Sequence, residues 1–212
     1  MNKPNFFGDV QQFLNNYQLW IGIVLGWFLT RFMELLIKPN ISFHLSDDRE
    51  FTKVNKQYKF INLIVSNDKR NLLKKFLFGN SPINNARVWL RFKDYSSKSE
   101  FLKIDARWSS TKEPVDYNTN QVIFPEIIMP SRDTIPAGEQ AAISVAIKEF
   151  GEDSFFAFNN QSYLHNWKNP DYELDEKKYW LEVRLLADGN EYLHEFLLTN
   201  PSKALRNFKL VN

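Results

Sequence analysis

The sequence predicts a mostly β protein in which a single N-terminal transmembrane helix precedes one antiparallel β-sandwich. Two observations support this fold class. The apolar stretch Leu19–Ile37 has the composition of a membrane-spanning helix, and the residues after it alternate between apolar and polar in short runs bounded by turn signals. An immunoglobulin-like sandwich is the first expectation, and a C2-like sandwich would give the same pattern. The predicted domains are an N-terminal tail or interfacial segment at residues 1–18, the transmembrane helix at 19–38, the sandwich at 40–200 and a C-terminal tail at 201–212.

The membrane helix is predicted from its length and its flanks. At about 1.5 Å per residue, Leu19–Ile37 would span about 28 Å, which is close to the hydrocarbon thickness of a bilayer. Within this predicted helix, the part without charged residues is Leu19–Thr30, because Arg31 and Glu34 follow it. Arg31 and Glu34 lie three residues apart, so they can face each other and form a charge pair in the membrane. A buried core helix and a helix lying in the membrane interface are the alternatives.

Two glycines in this helix indicate a contact with another helix. Gly22 and Gly26 lie four residues apart. This spacing places both on one face, where a second helix backbone can approach closely. The pattern predicts a homo-oligomer formed through the helix, and a chance occurrence of a common spacing is the alternative.

The basic residues near the helix predict its orientation. Lys3 precedes the helix, whereas Lys38, Arg49 and Lys53 follow it. The positive-inside bias therefore places the N-terminus outside and the sandwich in the cytoplasm. The chain contains no Cys, which is compatible with this side but does not decide it.

Strand-like runs recur after residue 40, with polar turns between them. In the segment Arg87–Lys93, the apolar residues Val88, Leu90 and Phe92 share one face of a strand. The segment Asp188–Asn190 separates two such runs and predicts a hairpin turn. The predicted strands are Ile41–Leu45, Tyr58–Ser66, Ala86–Lys93, Phe101–Trp108, Gln121–Phe124, Ala141–Ile147, Ser154–Phe158, Lys178–Ala187 and Glu191–Leu198, and helical turns are predicted within Leu72–Phe78 and Pro201–Phe208.

Positive charge is concentrated early in the predicted sandwich. Between residues 53 and 75, seven Lys or Arg residues accompany one acid, Asp68. The apolar run Leu72–Phe78 is interrupted by lysines, as in segments that dip into a membrane surface. This block predicts a surface that binds lipid headgroups or another anionic ligand, and solvated loop lysines are the alternative. The predicted binding residues are Lys69, Arg70, Lys74 and Lys75.

Negative charge is concentrated later. Between residues 149 and 176, seven acids accompany one base, Lys168. The block lacks the spacing of a calcium loop, so steering of a basic partner or plain solubility is expected. Trp167 lies in the polar loop Asn159–Pro170 and is the best candidate for an exposed recognition residue, with core packing as the alternative.

The sequence contains no pattern typical of a catalytic or metal site. His44, His165 and His194 are too far apart for a ligand spacing, and the serines lack a nucleophile-elbow setting. With only 7 glycines, a glycine-rich phosphate loop is not expected. We therefore predict no enzyme activity, no cofactor and no metal. The net charge of +2 gives no reason to expect a nucleic-acid partner.

The combined pattern predicts a single-pass membrane-anchored binding or signalling protein. Its expected partners are the lipid bilayer, a second copy through the helix, and a protein partner or an anionic ligand on the sandwich. Membrane effectors of bacterial defence systems have this layout, and so do many envelope proteins. The alternative is a structural or accessory subunit of a larger membrane complex.

Overall fold

The structure, a computed structural model, describes residues 6–47, 49–116, 118–119, 121–175 and 177–212, and it describes their side chains except those of residues 6–16, 34, 35, 37, 74 and 78. The chain divides into two compact units. The helical unit comprises Met1–Lys38 and Arg70–Ser81, and the β unit comprises Pro39–Lys69 and Pro82–Asn212.

The helical unit contains α1 (Phe6–Ile37) and α2 (Leu72–Phe78). Helix α1 begins at Phe6, within the segment 1–18 that was predicted to be a tail or an interfacial segment. Gly79 follows α2 with φ +65°, and its N–H donates to the Lys75 carbonyl at 2.9 Å, which is the left-handed helix end that glycine favours. By length and hydropathy together, none of the helices in the described chain qualifies as a membrane span, so the structure does not support the predicted transmembrane helix 19–38.

The β unit is built from two main sheets and one small strand pair, as far as the described residues show. The first sheet contains β1 (Asn40–Leu45), β2 (Arg49–Lys53), β3 (Lys56–Asp68), β6 (Arg107–Trp108), β10 (Gln140–Glu149), β11 (Phe155–Ala157) and β12 (Glu173–Leu174). The second contains β4 (Ile83–Asp94), β5 (Glu100–Asp105), β9 (Asp133–Ile135), β13 (Lys178–Ala187), β14 (Asn190–Thr199) and β15 (Lys209–Val211). The small pair is β7 (Val115–Asp116) with β8 (Gln121–Val122).

Every strand pairing in the described part of the chain is antiparallel, and strands make up 48% of the structure, so the mostly β prediction is confirmed. The first sheet has the order β1-β3-β10-β11-β12, with β2 also beside β3 and β6 beside β10. The second has the order β15-β14-β13-β4-β5, with β9 also beside β4. Short local connections such as the hairpin at Asp188–Gly189 place neighbouring strands side by side.

The facing sides of the two sheets form one apolar core. Alternate residues of β3, such as Leu63 and Val65, are fully buried in the same cluster as Leu90 of β4 and Val183 of β13. The period of two along each strand explains this pattern, because only every second side chain points inward. The core also includes Trp108, whose ring nitrogen donates to the Ala86 carbonyl at 2.9 Å.

Some elements differ from the sequence-based expectation. The predicted strand Gln121–Phe124 is cut short at Val122, and α3 (Phe124–Ile128) follows with Pro125 in its first turn. Several short strands, such as the three-residue β9, and the exposed β2 carry too little apolar alternation to be predicted. Short 3-10 helices occur at Asn160–His165, Pro170–Tyr172 and Leu205–Asn207.

The C-terminal segment, predicted to be a tail at 201–212, lies in the β unit and contains a strand. Strand β15 pairs with β14, and Phe208 is fully buried in the core. Two buried lysines on neighbouring strands hold the segment that leads to β15. Lys59 Nζ donates to the Leu205 carbonyl at 3.0 Å, and Lys148 Nζ donates to the Ser202 carbonyl at 2.6 Å. These contacts order residues 200–208 and let the last strand add to the sheet.

Candidate functional site

A cleft of about 400 Å³ opens at one end of the β unit, between the tip of the β2–β3 hairpin and the 3-10 helix Asn160–His165. We call it the Trp167 cleft. Its volume lies in the range of small-molecule sites. The cleft is lined by Lys53, Glu113, Val115, Val122, Leu164 and Trp167, together with Tyr163 and Asn166.

Lys53 is the central polar group of this cleft. Its Nζ lies 3.8 Å from the centre of the Trp167 ring and donates a hydrogen bond of 2.8 Å to Asn166 Oδ1. Burial lowers the pKa of the Lys53 amine from its ordinary value, and the nearby Glu113 carboxylate offsets part of this effect. A partly desolvated cation beside an aromatic face can bind an anion more strongly than a fully solvated lysine can.

An aromatic cluster supports the floor of the site. Tyr58 and Phe60 point away from the main core because they alternate with Ile61 and Leu63 along β3. The Trp167 ring packs edge-to-face on both of them, with ring centres 5.4 Å apart in each case. The outer face of the sheet is thus covered by the loop 159–170, which fixes the position of Trp167.

The backbone around the cleft adopts left-handed conformations at residues that rarely do so. The hairpin turn has φ +48° at Val54 and φ +61° at Asn55, and the opposite loop has φ +49° at Asn166 and φ +78° at Trp167. Asn tolerates this region, whereas a β-branched Val and a bulky Trp are strained there. Strained residues of this kind cluster at functional sites, because surrounding contacts must hold them in place. Here the Trp167 N–H donates to the Ser162 carbonyl at 2.7 Å.

An ion-pair cluster borders the site. Glu149 accepts hydrogen bonds from Lys56 at 2.7 Å and Lys168 at 2.8 Å, and Lys168 also contacts Glu152 at 2.6 Å. Burial disfavours the charged Glu149 carboxylate, but the two lysines outweigh this effect and lower its pKa. Residues from the basic and acidic blocks of the sequence therefore meet here, which reduces the charge separation that the sequence indicated.

The predicted anion-binding residues do not form one site. Lys69 belongs to the β unit, and its aliphatic stem packs on Gly138, where an added Cβ would lie 2.8 Å from Lys69 Cγ. Arg70 belongs to the helical unit and is buried, and it donates to the carbonyls of Gly79 at 3.1 Å and Lys38 at 3.4 Å. Arg70 therefore binds the carbonyl groups of the residues that directly follow α1 and α2. Lys75 is exposed in the last turn of α2, and the Lys74 side chain lies outside the described residues.

The residues of the predicted helix contacts, Gly22, Gly26, Arg31 and Glu34, lie in α1, and the contacts stay predictions. An added Cβ at Gly22 or Gly26 would meet no atom within 4 Å outside the helix backbone, so this face of α1 is open. The Thr30 hydroxyl donates to the Gly26 carbonyl at 2.9 Å. Arg31 lies in α1, but the Glu34 side chain lies outside the described residues, so the predicted charge pair stays a prediction.

Among the described residues, His44 lies next to a serine, but their arrangement is not that of a catalytic triad. His44 Nε2 lies 2.8 Å from Ser42 Oγ, which donates to Asp68 Oδ2 at 2.7 Å. The carboxylate thus orients the serine and not the histidine, unlike a nucleophile–base–acid arrangement. His194 stacks on Phe43 with ring centres 5.6 Å apart. Within the described ranges, no three His, Asp or Glu side chains lie close enough to hold a metal ion.

A second cleft of about 510 Å³ is lined by charged groups, including Glu152, Asp153, Lys168 and Lys203. These groups already pair with each other. Lys203 contacts Asp153 at 3.1 Å, and Lys168 contacts Glu152. The Trp167 cleft is the better candidate because its cation, Lys53, contacts an amide oxygen and an aromatic ring, whereas the lysines of the second cleft form ion pairs with carboxylates. The Glu113 carboxylate also lines the Trp167 cleft and acts on Lys53 electrostatically.

The polar surroundings of Trp167 indicate it as a recognition candidate, which stays a prediction, but the sequence does not indicate Lys53, Glu113 and Asn166 as its neighbours. Lys53 and Asn166 are separated by 113 positions, and no local pattern joins them. The positive φ of Val54 also has no sequence signal, because turn patterns lead one to expect Asn or Gly there.

Comparison with known proteins does not assign the chain to a family. No protein-family model matches the chain, and no curated protein matches its sequence. The functional conclusion therefore depends on the residues themselves.

Proposed function

We propose that this chain is a membrane-anchored binding protein, in which the helical unit associates with lipid and the β unit recognises a ligand or a protein partner. One observation carries the lipid part of the proposal. The apolar side chains of α1 between Leu19 and Phe32 are exposed on every side of the helix, including Val24, Leu25 and Phe28 at about half or more of their surface.

The distribution of this apolar surface favours lipid over a protein groove. A helix that docks in a groove needs one apolar face, whereas a helix surrounded by lipid is apolar all round. Ile23, Val24 and Leu25 are consecutive and exposed, and successive residues on a helix point about 100° apart. A single partner helix on the Gly22 and Gly26 face would cover only part of this surface.

Helix α2 supplies a second lipid-facing surface in the same unit. Leu72 and Phe76 are each 87% exposed, and Leu73 and Leu77 are also exposed. Lys75 lies among them in the last turn. Apolar side chains next to a lysine fit a membrane surface, where the chains enter the lipid and the cation meets phosphate groups.

The remaining parts of the proposal follow from the sequence. The excess of Lys and Arg after the helix favours a cytoplasmic β unit. The open Gly22 and Gly26 face favours a homo-oligomer. The two antiparallel sheets with a shared core support an immunoglobulin-like or C2-like sandwich, a fold class used widely for binding. A structural subunit of a membrane complex is the second candidate, because exposed apolar helices also serve assembly.

The test is flotation of the purified full-length chain with phosphatidylcholine vesicles that contain phosphatidylglycerol. We expect the wild type to float with the lipid and the variant Leu25→Asp with Phe28→Asp to float at least fivefold less. The variant Leu45→Asp with Leu193→Asp is the matched control, because these leucines are comparably exposed on the β unit. Equal flotation of the two variants, or a wild type that stays with the aqueous fraction, would overturn the proposal.

A further inference from the structure

The Trp167 cleft carries a more specific inference about the ligand. Among the described residues, Asn166 Oδ1 is the hydrogen-bond acceptor of the Lys53 ammonium group. An ammonium group has three N–H donors, so donors remain for a ligand. The carboxylate of Glu113 and the side chain of Asn166 lie on the same cleft lining.

The rest of the lining is apolar. Val115 and Val122 lie directly opposite each other in the β7–β8 pair, which places their side chains next to each other on one face. Tyr163, Leu164 and Trp167 add further apolar surface from the 3-10 helix and its end. Such a lining fits a flat apolar group and leaves the polar positions for orientation.

We propose that the Trp167 cleft binds a small ligand in which an anionic group, a phosphate or a carboxylate, is joined to a flat aromatic ring. The anion contacts Lys53, and the ring packs against the valine pair and the aromatic residues of the loop. Ring N–H or amino groups face Glu113 and Asn166. This inference rests on the proposed ligand recognition by the β unit, and it names the site and the class of ligand.

The shape of the site is fixed before the ligand arrives. The left-handed residues Val54, Asn166 and Trp167 are held by the hairpin register, by the Lys53–Asn166 hydrogen bond and by the aromatic cluster. A pre-organised site spends less free energy on ordering when it binds. The strain at Val54 and Trp167 then has a function, since both residues border the position of Lys53.

The experiment is isothermal titration calorimetry of the full-length chain in detergent with adenosine monophosphate and, separately, with indole-3-carboxylate. Adenosine and indole test the ring without the anionic group, and inorganic phosphate tests the anion without a ring. We expect at least one of the two anionic aromatic probes to bind, and its uncharged counterpart and phosphate to bind at least tenfold more weakly. Binding of the nucleotide alone assigns the ligand to phosphates, and binding of the acid alone assigns it to carboxylates.

Lys53→Met is the decisive variant, because it keeps the apolar stem over Trp167 and removes the charge. We expect it to weaken binding at least tenfold. Lys103→Met is the matched control, since Lys103 Nζ also lies over a tryptophan, at 5.3 Å from the Trp89 ring centre. Binding that is equal in wild type and Lys53→Met would overturn the site, and binding of neither anionic probe would overturn the class of ligand. Flotation of the same preparation on vesicles reports the membrane proposal separately, so the two failures are distinguishable.

Discussion

Lys69 shows how a single charged residue can act through its carbon atoms. Its stem packs on Gly138, which has φ +85° in the turn Pro136–Glu139. This turn is tied to β3, because the Gly138 N–H donates to the Asn67 carbonyl at 2.6 Å. The residue that the sequence indicated as an anion-binding group therefore also shapes a turn.

Gly138→Ala should lower the free energy of unfolding by about 1–3 kcal/mol, because the new Cβ meets Lys69 and the positive φ is strained. Urea denaturation of the full-length chain measures the effect. Gly151→Ala is the control, since Gly151 has φ +87° but no atom within 4 Å of an added Cβ. The decrease in the free energy of unfolding should be larger for Gly138→Ala than for Gly151→Ala. Equal decreases would show that the contact with Lys69 does not contribute to the effect.

The burial of Lys148 predicts how the free energy of unfolding depends on pH. Burial lowers the pKa of its amine from the ordinary value, with partial compensation by Asp153 and Glu152. Between the lowered pKa and the ordinary one, the unfolded chain binds the proton more often than the folded chain does, so stability rises with pH in that window. The neutral amine still donates to Asn200 and Ser202.

The free energy of unfolding of wild type minus that of Lys148→Met should therefore increase as the pH rises toward the ordinary lysine pKa of 10.5. Urea denaturation at each pH measures it. Other lysines titrate in both proteins and cancel in the difference. A difference that stays constant or falls with pH would contradict the role of burial at Lys148.

At the scale of elements, the sequence predicted the long strands and missed others, such as β2 and β9, because those strands lack a clear period. Strands β4 and β13 alternate over many residues, so their period is clear. Strand β2 has one large apolar residue, Phe51, and strand β9 has three residues in all. The pairing of such strands is decided by their neighbours and not by their own pattern.

The C-terminal strand β15 forms because of tertiary contacts and not because of its own sequence pattern. Leu205, Phe208 and Leu210 are buried, yet their spacing of three and two fits neither a helix nor a strand throughout. Their order depends on Lys59 and Lys148, which come from distant parts of the chain. A tail and a strand thus look alike in the sequence.

Phe208→Ala should cost about 3–5 kcal/mol of stability, because the ring is fully buried and its centre lies 4.9 Å from that of Phe155. Phe150→Ala is the control, since that ring is 59% exposed, and its effect should stay within about 0.5 kcal/mol. Thermal unfolding followed by circular dichroism compares the two. Similar melting temperatures for both variants would mean that β15 does not belong to the cooperative core.

For α1, the open glycine face yields a prediction about assembly. Replacing Gly22 and Gly26 with Ile should lower the oligomer mass in detergent, because the added branches prevent close backbone approach. Light scattering or native mass spectrometry measures the mass. Leu19→Ile with Val24→Ile is a control that keeps the glycines, and an unchanged mass in the glycine variant would rule out this helix contact.

At the scale of the whole molecule, the sequence predicted a mostly β protein with one long N-terminal helix, because periodicity reports local structure. It could not predict the candidate site. The Trp167 cleft is assembled from the β2–β3 hairpin, the β7–β8 pair and the loop 159–170, which are distant along the chain. Neither the ion pair partners of Glu149 nor the strain at Trp167 has a local signature.

The β unit holds its own core, so a variant lacking residues 1–38 should fold. We expect a β-type circular dichroism spectrum, a cooperative thermal transition and weaker flotation with vesicles than the full-length chain shows, since α2 remains. The truncation also removes the Lys38 carbonyl, which accepts a hydrogen bond from Arg70. Both residues belong to the helical unit, so this loss does not affect the core of the β unit. A truncated chain without a cooperative transition would contradict the division into two units.

The placement of Lys53 over Trp167 also has an optical consequence. A charge 3.8 Å from an indole ring shifts the energy of its excited state, so the emission of Trp167 reports the protonation and the occupancy of that lysine. The chain has 6 tryptophans, and the difference spectrum between wild type and Trp167→Phe isolates this one. The cleft thereby contains its own fluorophore, and a titration of that difference signal follows the site without any added label.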